Sequence, residues 1–168
     1  MLKSQYEAIF PLCDVNTTLT SSGELNSVNM AGYDHATFVL QIASTLSYVV
    51  GASAPIISIE SGSSDSADTA DVTFHWRVNT ASAATLSSVM TYGADATSSA
   101  LSLATVENYA GHTLLLEVDG DELYSVASTN ETYKWLTVDF TNATVGTLAA
   151  FVILSNARYA KSDMPIAV

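Results

Sequence analysis

Bond-breaking chemistry needs a nucleophile, a base or a metal, and few residues in this 168-residue chain are placed to supply one. A serine hydrolase holds its nucleophile on a strained turn, with a histidine base and an acid to orient it. The chain is rich in serine but has no G-x-S-x-G, and its three histidines, His35, His75 and His112, sit in no such setting. A histidine metal site needs two or three converging ligands. His75 falls on the polar phase of an alternating stretch, His35 follows a turn and His112 precedes a strand, so all three are expected to be solvated. Two acidic knots remain: Asp119, Asp121 and Glu122 in VDGDEL, and Asp65, Asp68 and Asp71 within one loop. Calcium takes several oxygens converging from a loop. The EF-hand spacing is absent, so these acids read as solvated turn residues. Any two carboxylates can meet in space to form a glycosidase pair, but nothing singles out a pair. The expectation is no enzymatic activity, no cofactor and no metal.

Composition says what must carry such groups. The chain is only 13% charged and 48% hydrophobic, with a net charge of −12, which fits a sheet-rich globule and not a disordered acidic tail. An acidic surface argues against nucleic acid, whose phosphates need clustered Lys and Arg. It argues equally against anionic lipid, and no apolar run has the length of a membrane span. It is compatible with a basic protein surface as partner. Cys13 is the single cysteine, so no intramolecular disulfide forms, and it reads as a small buried hydrophobe. The opening MLKSQYEAIFPLCD carries acids and no hydrophobic region of signal-peptide type.

Period-two alternation runs through the sequence. Val72, Phe74, Trp76 and Val78 alternate with Thr73, His75, Arg77 and Asn79. Phe38, Leu40 and Ile42 oppose Thr37, Val39 and Gln41. Ile57 and Ile59 alternate with Ser58 and Glu60, and Leu114, Leu116 and Val118 with Thr113, Leu115 and Glu117. Leu136, Val138 and Phe140 oppose Tyr133, Trp135 and Thr137. The stretch Leu148–Ser155 is apolar in both phases and reads as a central strand covered on both sides. Weaker strands are predicted near Leu12–Val15, Ser27–Met30, Ser87–Thr91 and Ala100–Thr105. Gly-, Asn-, Asp- and Ser-rich breaks separate these runs. The fold class is therefore all-β: a jelly-roll-like antiparallel β-sandwich of roughly 8–10 short strands, forming one domain over residues 1–168.

The ends look different. Residues 1–10 read as an N-terminal arm whose Tyr6, Ile9 and Phe10 need a partner to cover them. Residues 160–168 read as a C-terminal tail, entered through Asn156, a residue that tolerates a left-handed turn. Arg158 and Tyr159 at the start of that tail either pin it to an internal carboxylate or anchor it to another protein. Tyr133 and Trp135 share a strand phase outside the core and could stack on a sugar ring or pack under a loop. The candidate partner-binding residues are thus Tyr6, Ile9, Phe10, Tyr133, Trp135, Arg158 and Tyr159.

Three ordered stretches carry a resemblance. The first is VNMAGYDHATFVLQIAS. The second is LLLEVDGDEL followed ten residues later by YKWLTVDFTNA, where Trp135-Leu136-Thr137 replaces a usual basic position. The third is a strand ending in Ile153, Leu154 and Ser155, then Arg158, Tyr159 and Ala160. Together they resemble small structural proteins of tailed bacteriophages, the capsid decoration or cement proteins. The resemblance implies a jelly-roll-like virion protein on the outer surface of the head, bound to the major capsid protein as a homo-oligomer, dimer or trimer, and stabilising contacts between capsomers. It implies neither a nucleic-acid nor a membrane partner. The alternative is a receptor- or carbohydrate-binding module of a phage tail or fibre.

Overall fold

The alternation closes into two antiparallel sheets whose apolar phases face each other. The computed structural model describes residues 8–13, 17–19, 23–43, 54–65, 69–79, 93–104, 109–123, 125–126, 128, 131–141 and 146–157. Among them the strands are β1 (Ala8–Pro11), β2 (Thr17–Leu19), β3 (Gly23–Glu24), β4 (Val28–Asn29), β5 (Tyr33–Ile42), β6 (Ile56–Gly62), β7 (Ala70–Asp71) and β8 (Phe74–Val78). They continue with β9 (Ala96–Ser98), β10 (Ala100–Ser102), β11 (Thr113–Asp119), β12 (Ser125–Val126), β13 (Glu131–Thr132), β14 (Trp135–Thr141) and β15 (Gly146–Ala157). The described residues thus hold 15 strands, more than the 8–10 expected. The surplus is made of segments of two or three residues, too short to show a period in sequence.

The larger sheet runs β1-β15-β5-β11-β8-β9, with β2 also pairing β15. The smaller runs β10-β6-β14-β3, with β4 on β14 and β7 on β6, and β12 and β13 form a separate two-stranded ribbon. Every ladder is antiparallel. Between the main sheets one cluster joins Phe38, Leu40, Ile42, Phe74, Leu114, Leu116, Val118, Val152 and Leu154 to Ile57, Ile59, Leu136, Val138 and Phe140. Each large apolar side chain removed from water there contributes about 1.5–3 kcal/mol. Cys13 is half-buried and packs against this core.

Turns follow local chemistry. Between β4 and β5, the Tyr33 amide donates to the Met30 carbonyl at 2.9 Å, and Gly32 supplies the positive φ of 92° that this reversal needs. Asn156 adopts φ 55°, the left-handed conformation expected of it, yet the ladder continues to Ala157 opposite Tyr33.

Two expectations change. Residues 1–10 are not an arm throughout: Ala8, Ile9 and Phe10 belong to β1, hydrogen-bonded along β15, and Phe10 packs against the core. Four residues give too little alternation to reveal a strand, and Pro11 is tolerated because β1 lies at the sheet edge. The second change concerns β15. It is central in the ladder, between β1 and β5, but only one phase is covered: Leu148, Ala150, Val152 and Leu154 are buried, while Phe151 is 38% exposed. Of the weaker strands, 28–29 and 100–102 appear, β1 precedes the stretch predicted at 12–15, and 87–91 lies outside the described residues.

Candidate functional site

Directly paired residues of an antiparallel ladder project to the same face, so the register maps the outer face of the larger sheet row by row. One row reads Pro11, Phe151, Val39, Leu115, Arg77 across β1, β15, β5, β11 and β8. The next reads Ile9, Ile153, Thr37, Glu117, His75 over the same five strands. Ile9 and Phe151 are the large hydrophobic side chains most exposed among the described residues, at 64% and 38%. Ile153, Val39 and Leu115 beside them are half-buried. The face is therefore graded: apolar at the β1–β15 edge, ionic toward β8.

The ionic end is a network. His75 Nδ1 lies 2.9 Å from Asp95 Oδ2, and its Nε2 lies 3.8 Å from Glu122 Oε1. Arg77 reaches Asp95 at 3.5 Å and Glu117 at 3.8 Å. His35 Nδ1 is 2.6 Å from Asp119 Oδ1, and its Nε2 is 3.1 Å from Thr37 Oγ1. The Asp119 amide donates to Glu122 Oε2 at 2.8 Å, which closes the β11 turn. The hydrogen bond that His75 donates to the Asp95 carboxylate raises the His75 pKa above its ordinary 6.5, and the same bond lowers that of Asp95 below 3.8. Four carboxylates meet one arginine and two histidines, so this end keeps an excess of negative charge at neutral pH.

The histidines expected to be solvated are thus hydrogen-bonded to the protein. His112 Nδ1 contacts the Asn79 carbonyl at 2.7 Å, while Asn79 Oδ1 accepts from the Thr113 amide at 2.6 Å. Asp119 and Glu122 of the acidic knot are likewise engaged. Among the described residues, no group of three or more His, Cys, Asp or Glu side chains is placed to hold a metal ion.

The candidate partner-binding residues separate. Ile9 stands on the outer face of the larger sheet, whereas Phe10 turns inward to the core. Trp135, half-buried, belongs to the smaller sheet and lines a cleft with Asn29, Ser63, Glu131, Thr132 and Lys134. Tyr133 is half-buried just before β14, outside that lining. Tyr6, Arg158 and Tyr159 lie outside the described residues. Sequence reasoning missed Phe151, Ile153, Val39 and Leu115. Their signal was present, since each is apolar at the outward phase of its strand. No family model matches the chain, and neither a curated protein nor a solved structure does.

Proposed function

We propose that the protein is a virion structural protein, a decoration or cement protein that docks on the outer surface of a bacteriophage head and ties neighbouring capsomers together. The observation that carries this reading is the graded outer face of the larger sheet. Ile9 and Phe151, with Ile153, Val39 and Leu115 between strands, form an apolar edge. Contiguous apolar surface of this kind marks a protein contact site. Beside it the excess of carboxylates around Arg77 and His75 calls for a basic rim on the partner. The partner is the major capsid protein, in keeping with the resemblance carried by the three ordered stretches. No covalent chemistry is needed for such a role: apolar burial at about 25 cal/mol per Å2, repeated over many sites, resists the pressure of packaged DNA.

Copy number tests the reading. Quantitative gels of purified particles should find the protein in hundreds of copies, associated with heads. A handful of copies fractionating with tails would replace the cement role with a tail or fibre module.

A further inference from the structure

The smaller sheet ends in a cleft of about 380 Å3, lined by Asn29, Ser63, Glu131, Thr132, Lys134 and Trp135. It lies on different strands from the graded face and does not rest on the docking role. Trp135 opens β14, and its ladder neighbours are Gly62 on β6 and Asn29 on β4. Gly62 has no side chain to lay across the indole, so the half-buried ring gives the cleft an apolar wall. The position is fixed from the backbone: the Met30 amide donates to the Lys134 carbonyl at 2.8 Å.

The remaining lining is polar and charge-balanced. Asn29 Oδ1 accepts the Ala31 amide at 2.8 Å, which leaves the side-chain nitrogen as the donor presented by this residue. Lys134 is exposed and offers up to three donors, and Glu131 lines the cleft beside it. One lysine against one glutamate gives no net charge to select an ion. In a molecule of net charge −12, an anionic ligand is also repelled at longer range. A nucleobase would stack on the indole, but its phosphates would meet that same field. The ligand that fits has an apolar face for the indole, hydroxyls around its rim and no charge. We propose that this cleft binds a neutral pyranose sugar, with the ring stacked on Trp135 and its hydroxyls held by Asn29 and Lys134.

The test is titration of the full chain with the methyl glycosides of glucose, galactose, mannose and N-acetylglucosamine, and with lactose beside sialyllactose, followed by calorimetry and amide chemical shifts. At least one neutral glycoside should saturate, with shifts centred on residues 29, 63 and 131–135. Trp135→Ala should weaken that binding about tenfold or more. Lys134→Ala and Asn29→Ala should each weaken it about two- to tenfold, as expected for single hydrogen bonds. Lys134 is exposed, so its variant keeps the test valid should Trp135→Ala fail to fold. The proposal is overturned if no neutral glycoside saturates, if sialyllactose binds better than lactose, or if affinity survives in both Lys134→Ala and Asn29→Ala.

Discussion

The two sheets share an inner chemistry and differ on their outer faces. Inside, Phe38 and Leu116 of the larger sheet meet the same dry environment as Phe140 and Leu136 of the smaller, all essentially inaccessible. On the other face, β14 and β6 of the smaller sheet pair Thr137 with Glu60 and Asp139 with Ser58, polar residues of which Thr137 and Ser58 are buried. Thr137 is 1% exposed, and its hydroxyl meets that of Ser27 at 2.8 Å. The larger sheet instead sets Phe151, Val39 and Leu115 in a row and leaves Ile9 in solvent at its edge. The inner phases build the fold; the outward phase is polar and covered within the chain on the smaller sheet, and apolar and partly open on the larger.

The largest effects should make the two sheets look alike. Phe38→Ala and Phe140→Ala each remove a fully buried ring and should cost about 3–5 kcal/mol in denaturant unfolding. A large inequality between them would mean the cores are not equivalent and would break the comparison at its base. Deleting residues 1–10 removes most of β1 and the packing of Phe10, at about 2 kcal/mol or more by the same measurement. An unchanged midpoint would restore a free arm in place of an edge strand.

Smaller changes sharpen the outer faces. Thr137→Val keeps the shape but removes the hydroxyl contact with Ser27, and should cost about 1 kcal/mol. The least effect belongs to His75. Its raised pKa means its stabilising contribution is complete below 6.5 and fades as pH rises through the raised value. Asp95 has the opposite sign, contributing above 3.8 and losing that contribution as pH falls through its lowered value. The pair therefore supports the fold most strongly between these two ordinary values. His75→Gln should lower the melting temperature slightly at about pH 5.5 and by less at about pH 8.5. Equal shifts at both values would show that His75 acts by packing and not by charge.

Alternation made the inner face legible. Phe38, Leu40 and Ile42, then Leu114, Leu116 and Val118, are buried as their spacing predicts. What alternation does not carry is the pairing of strands. His75 and Asp95 are 20 residues apart, His35 and Asp119 are 84 apart, and no local pattern joins them. The expected cover over both phases of β15 failed for a related reason. An apolar outward phase says that burial would be favourable, but not whether this chain or another supplies the cover. Thr137 errs the other way, a polar residue that is buried with its hydroxyl met by Ser27, 110 residues distant. Of the candidate site, Ile9 and Trp135 were legible as apolar residues outside the core, and the structure assigns them to different sheets.

The central claim is that the apolar edge of the larger sheet is a docking surface. The most direct measurement is binding of the Ile9→Ser, Phe151→Ser double variant to bare heads, beside its own melting curve. Ile9 lies largely in solvent and Phe151 partly so, and the two substitutions together should lower the free energy of unfolding by about 1–3 kcal/mol. If the edge docks on the capsid, the double variant folds but no longer saturates heads. A double variant that melts normally and decorates heads with wild-type affinity would contradict it.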